Sequence, residues 1–308
     1  MKDWINFSKE YYNQKETGRF SESVQYLLDS VSGGKICFPL LDCHFLEFPK
    51  NSTYERRARL AKFLSEHYGG FFIVDRETRM FREMRSAISE IVHGEKIKAP
   101  SMFTRGFFRA FRTDLQLSLD IGRTPAFIKL LQKHIDEPKR LEEFLIGIEE
   151  NLRVFLMNKF RDRGKLSVAD LEKSRTKTKD FDIILRSLHA KLFLANQELF
   201  LNVYREFGID SKPFLEKHCM SFGAKVPTFD IEASLTCEAL KLKNRNVQLN
   251  DIYDIGSLAA AIPYCDIVVG EKFWVNICKR LGYEQKYGCT FLTDYRQLFS
   301  LRHELTPE

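Results

Sequence analysis

Residues 250–272 read NDIYDIGSLAAAIPYCDIVVGEK: an acid-led helical run, a stop, a short β-branched run and a further acid. No other stretch restricts the possible folds as tightly. Ile255, Leu258, Ala259 and Ile262 recur at helical spacing, and Pro263 ends the run because its ring nitrogen has no proton to donate. Residues 267–269 are too short and too branched for a helix and predict a buried strand. This order puts Asp254 in the first helical turn and Glu271 just past the strand's carboxyl end. Open α/β sheets place their ligand crevices on that side.

A second stretch is built the same way. Residues 35–40 (KICFPL) form a compact apolar run after Gly33 and Gly34, and Glu47 follows it. Residues 53–67 place Leu60, Phe63 and Leu64 on one helical face, with Arg56, Arg57 and Lys62 largely off it. Gly69 and Gly70 close that helix, and residues 71–74 (FFIV) and 290–292 supply further strands. Strand and helix in alternation predict an α/β fold: a mainly parallel sheet flanked by helices.

With these motifs in this order, the chain resembles the PIN-like domain superfamily, a metal-dependent nuclease fold. The likeness is to a bacterial branch of it, carried by Asn250-Asp251, Asp254, Pro263-Tyr264-Cys265-Asp266 and Glu271-Lys272. In the N-terminal half it is carried by Phe38-Pro39-Leu40, His44, Glu47, Arg56-Arg57 and Leu60-Ala61. It covers residues 1–80 and 228–308, so the PIN-like core is expected at 1–80 and 226–308, with an all-helical insertion at 81–225.

The resemblance implies a cluster of four acids that binds Mg²⁺ or Mn²⁺ and hydrolyses phosphodiester bonds. Glu47, Asp254 and Glu271 fall on its last three positions, as catalytic groups and metal ligands. Divalent ions of this kind take hard carboxylate oxygens, and they lower the pKa of a bound water that attacks the phosphate. Asp251, one turn before Asp254, is a further candidate ligand or a helix cap. The first acid ordinarily ends a strand that precedes a Trp-led helix, and this chain begins at that helix, with Trp4, Ile5 and Phe7. Asp3 is the candidate substitute. The expectation is a longer native chain with an Asp immediately before Met1.

Substrate contacts are expected from Lys272 and His44, and from Arg105, Arg109 and Arg112, which interleave with Phe107, Phe108 and Phe111. That interleaving suits phosphate contact with base stacking, and equally an amphipathic helix with a solvated arginine face. His44 can donate to a phosphate or serve as a satisfied structural residue. Cys37, Cys43 and His44 do not have the spacing of a structural zinc site. A net charge of +6 suits a polyanionic partner without requiring one. Seven cysteines without a CxxC pair argue for a reducing compartment, and no apolar run approaches membrane-spanning length. The expected product is a cytoplasmic PIN-type ribonuclease with no membrane partner, in the role of a bacterial toxin or defence effector. The alternative is a catalytically silent PIN-like scaffold that binds a partner protein or RNA through its helical insertion.

Overall fold

Most of the apolar stripes in this chain fold as helices, each closed by its own polar residues. The structure, a computed structural model, describes residues 2–41, 43–44, 48, 53–68, 70–95, 97, 101–106, 110, 137–147, 158, 168–173, 180–242 and 245–302. In the N-terminal part these form α1 (Lys2–Thr17), α2 (Glu22–Ser32), α3 (Tyr54–His67), β1 (Phe71–Ile73), α4 (Arg76–His93), β2 (Phe103–Arg105) and α5 (Pro138–Ile146). There follow α6 (Phe181–Ala195), α7 (Gln197–Phe207), α8 (Ser211–Lys225), α9 (Pro227–Lys241) and α10 (Leu249–Ala261). The last elements are β3 (Ile267–Val269), α11 (Lys272–Arg280), α12 (Tyr283–Tyr287), β4 (Thr290–Leu292) and a 3-10 helix (Tyr295–Leu301). Among the described residues no helix is long and apolar enough to cross a membrane.

Local chemistry sets these boundaries. Thr53 caps α3 by accepting from the Arg56 amide, and Asp75 caps α4 by accepting from the Thr78 amide at 3.0 Å. Gly94 closes α4 in the left-handed region, at φ 76°, where a side chain would be strained. Asn196 divides the apolar run 182–207 into α6 and α7. The stripe expected over 140–163 is helical in α5, and beyond residue 147 it lies, Asn158 apart, outside the described residues.

α9 is the helix against which α4, α6, α7, α8, α10 and α11 pack. Phe229 faces α4, α7 and α8, while Ile231, Leu235 and Ala239 face α10 and α11. Ala233, Cys237 and Leu240 pack against α6. A helix buried on several faces gains about 1.5–3 kcal/mol for each large apolar side chain it removes from water. Its buried acids need partners, and they have them: Asp230 accepts from Lys286 Nζ at 2.7 Å and Tyr287 Oη at 3.0 Å, and Glu238 pairs with Lys241 and Arg280.

The expected parallel α/β sheet is not formed. Helix accounts for 72% of the described residues and strand for 6%. Among the described residues there are two separate two-stranded sheets: β1 pairs antiparallel with β2, and β3 pairs parallel with β4. Residues 71–73, 267–269 and 290–292 are strands, whereas residues 35–40 contribute only a parallel bridge from Leu40 to Phe72.

The reason lies in the backbone donors. Leu40 spends its amide on the Phe71 carbonyl and its carbonyl on the Ile73 amide, both at 3.0 Å. Alternate residues of an extended segment address opposite sides, so Pro39 and Leu41 face away from β1. Pro39 has no amide proton, and the Leu41 amide donates to His44 Nδ1 at 3.1 Å. A third strand on that side would find no free donor in the two residues that flank Leu40, and the sheet stops there.

Candidate functional site

Beside that terminated edge lies a cavity of about 1120 Å³. Residues 34–39 and 41 form one wall; β3, Gly270 and Glu271 form another, with Asp251, Asp254 and Trp274 at one end. Pockets that accept small molecules and cofactors have about this size or less.

Asp254 and Glu271 come to this cavity from different elements. Asp254 lies in the first half of α10 and accepts a hydrogen bond at Oδ2 from Trp274 Nε1 at 3.2 Å. Trp274 is almost wholly buried, at 1% exposed, and the indole nitrogen can only donate. It therefore ties the Asp254 carboxylate to the first turn of α11. Glu271 is the N-cap residue of that helix but its side chain makes no capping bond, so an exposed carboxylate stands at the cavity wall. Lys272 follows it as an exposed residue of the same turn.

Asp251 is placed for a different task. It is buried at 2% exposed, and Arg245 grips it side on, with Nη1 at 2.9 Å from Oδ2 and Nη2 on Oδ1. The Gln248 amide donates to Oδ2 at 2.7 Å, completing a capping box at the start of α10. Arg245 lies over the Phe273 ring at 4.1 Å, which covers its flat face. With both oxygens so engaged, Asp251 serves as a helix cap and charge partner.

His44 lines the cavity as well. Burial holds its imidazole well below the ordinary histidine range, so it is neutral at pH 7. Arg105 stands opposite Phe71 in the β1–β2 register, with its guanidinium 4.8 Å from the ring centre. Phe71 lines the cavity, so Arg105 stands close to its edge. The stretch 104–113 therefore begins as strand β2 rather than as a helix. Arg109, Arg112 and Glu47 lie outside the described residues. Asp3 belongs to the first turn of α1 and not to a connection, as Lys2 already opens the helix; its side chain lies outside the described residues.

Among the described residues no group of three or more His, Cys, Asp or Glu side chains is arranged to hold a metal ion. Asp254 and Glu271 supply two carboxylates at one cavity. Mg²⁺ uses such a donor set when waters and phosphate oxygens complete its shell.

Sequence reasoning missed a second polar cluster behind the cavity wall. Glu83 of α4, 4% exposed, accepts from the Thr228 amide at 2.8 Å, from Thr228 Oγ1 at 2.9 Å and from Tyr264 Oη. Arg79, 1% exposed, donates from Nε to Thr228 Oγ1 at 3.2 Å and from Nη1 to the Val74 carbonyl at 3.1 Å. Val226, the N-cap residue of α9, offers no side-chain oxygen, so Glu83 caps α9 from another helix. Tyr264 also lines the cavity. The cluster therefore fixes part of the cavity wall against α4 and α9. Burial raises the Glu83 carboxyl above its ordinary range, and burial with the neighbouring Glu83 raises the Tyr264 hydroxyl.

No family model, no curated protein and no solved structure matches the chain.

Proposed function

We propose that the chain is a metal-dependent phosphodiesterase that hydrolyses RNA at the Asp254 and Glu271 end of the cavity. What supports this is one observation: Asp254 and Glu271 belong to different elements, Trp274 ties one to the first turn of the helix that the other caps, and both carboxylates line the same cavity. They are the residues that would hold Mg²⁺ or Mn²⁺. A bound ion would supply a water of lowered pKa and offset charge on the phosphate.

The chain's own residues prepare that end. Trp274 fixes the orientation of Asp254, and Arg245 cancels the charge of Asp251, which leaves fewer uncompensated carboxylates at the site. Arg105 and Lys272, both exposed, would meet backbone phosphates outside it. RNA is preferred over DNA on the resemblance of the Asn250-Asp251, Asp254 and Glu271-Lys272 motifs alone.

A second reading is a catalytically silent scaffold that binds RNA or a partner protein. Its support is the diversion of Asp251 to Arg245.

The two are separated by incubating the purified chain with RNA and Mg²⁺, Mn²⁺ or EDTA. The hydrolase reading expects cleavage with metal only, reduced at least about 10²-fold in Asp254→Asn and in Glu271→Gln. Cleavage at full rate in both variants would refute it, and absence of cleavage together with retained RNA binding would establish the scaffold.

A further inference from the structure

His44 reaches the cavity with one nitrogen already engaged. The Leu41 amide donates to Nδ1 at 3.1 Å, and the His44 amide donates back to the Leu41 carbonyl at 3.0 Å, closing a tight turn. A ring nitrogen that accepts a hydrogen bond carries no proton, so the neutral imidazole holds its proton on Nε2. The ring is kept neutral by its burial. What remains of its polar edge is an uncharged N–H donor with no acceptor among the described residues. That rules His44 out as a general base and leaves it a role in recognition.

Its surroundings indicate what it recognises. Phe71 and Phe103 stand on one face of the β1–β2 pair, since Phe103 is opposite Ile73 and Ile73 is two residues from Phe71. Both rings line the cavity, as do Trp4, Phe38 and Trp274. Leu41 and Cys43, both within the turn that holds His44, pack in one cluster with Phe103. Of the charged residues that line the same cavity, Arg245 pairs with Asp251, and Asp254, Asp266 and Glu271 outnumber Lys35, which disfavours an anionic group away from the metal-binding end. Aromatic rings with an uncharged donor suit an uncharged, flat, acceptor-bearing group. In RNA that group is the base, which proteins take up by stacking and edge hydrogen bonds once it is unstacked.

We infer that the aromatic part of the cavity is a nucleobase subsite in which the base lies against the rings and His44 Nε2–H donates to an acceptor on its edge, a carbonyl oxygen or a ring nitrogen. The inference rests on the proposal that RNA is the substrate, and it adds a base-binding subsite to it.

The test is an NMR titration of the full chain with uridine, adenosine and ribose, whose binding needs neither metal nor catalysis. Uridine and adenosine should bind and ribose should not, and both nucleosides should shift the ¹⁵N signal of His44 Nε2. His44→Asn, whose amide oxygen can still accept from Leu41 but whose side chain is too short to reach the base, should weaken both about three- to tenfold, the scale of one neutral hydrogen bond. Should that variant fail to fold by circular dichroism, the ¹⁵N shift in the parent chain decides. The subsite is overturned if no nucleoside binds, if ribose binds as well as the nucleosides, if nucleosides leave the Nε2 signal unmoved, if the folded variant binds them as tightly as the parent, or if the proton resides on Nδ1. Nucleoside binding without RNA cleavage would sink the hydrolase and keep the subsite; cleavage without nucleoside binding would do the reverse.

Discussion

Thr228→Val tests the reasoning about buried polar groups most directly, because it changes one oxygen to a methyl group at a site with no room for water. Thr228 is 0% exposed, and valine has nearly its shape, so no cavity is created. Thr228 Oγ1 accepts from Arg79 Nε and donates to Glu83 Oε1, so the substitution removes one partner from each of two buried ionisable groups. Hydrogen bonds to charged groups are each worth about 1.5–3 kcal/mol. At 3.2 Å the Arg79 bond is the weaker of the two, which puts the expected loss at about 3–4 kcal/mol. Thr228→Ser keeps the hydroxyl and loses one buried methyl group, at about 1 kcal/mol. Urea denaturation at pH 8, followed by far-ultraviolet circular dichroism, compares the two variants with the parent chain. The reasoning is refuted if the valine variant lies within about 1 kcal/mol of the serine variant, since the hydroxyl would then contribute little beyond its volume.

The same cluster has a pH signature. Burial raises the folded-state pKa of Glu83 above its unfolded value near 4.3, so the folded chain holds this proton more tightly. Its contribution is therefore fully present below about pH 4.3 and is lost as pH rises through the higher folded value. The stability of the parent chain relative to Glu83→Gln should fall with rising pH across that window, and a flat difference in calorimetric midpoints would contradict it. Asp251→Asn should lower stability by about 2 kcal/mol through the lost cap and the half-exposed partner Arg245, while slowing metal-dependent cleavage less than tenfold. A hundredfold loss of rate with unchanged urea midpoint would instead make Asp251 a ligand.

What the sequence revealed was short-range. Ile255, Leu258, Ala259 and Ile262 mark α10 because helical periodicity is a property of near neighbours, and the β-branched run 267–269 marks β3 for the same reason. Pairing of strands is not local. Whether residues 35–40 join a sheet depends on which backbone donors remain free once Leu40 has met β1, and periodicity carries no such information. The candidate site divides along the same line. Asp254 and Glu271 were legible from their places relative to α10 and β3. Asp251 was readable as a ligand or as a cap, and its engagement by Arg245 requires the chain to fold back from residue 245 onto the start of α10, a contact that no spacing rule predicts. Glu83 caps a helix that begins 145 positions away at Thr228, so no local pattern marks it as a cap.

The sheet that does not form and the cavity that does have a common origin. Residues 36–38 and β3 line the same cavity, and Ile36, Phe38, Ile267 and Val269 join one apolar cluster, so the two segments approach each other without pairing. Pro39 has no amide to offer across that gap, and the Leu41 amide is held by His44. Had both been free, β3 could have docked edge to edge, and the space now lined by Asp254, Glu271 and His44 would have been filled by a backbone ladder about 4.8 Å wide. The interaction that ends the sheet also fixes the His44 tautomer, so the donor presented to the cavity follows from the way the edge is closed. A substitution that releases the Leu41 amide therefore acts on both at once: it frees the edge for pairing and lets the His44 ring turn.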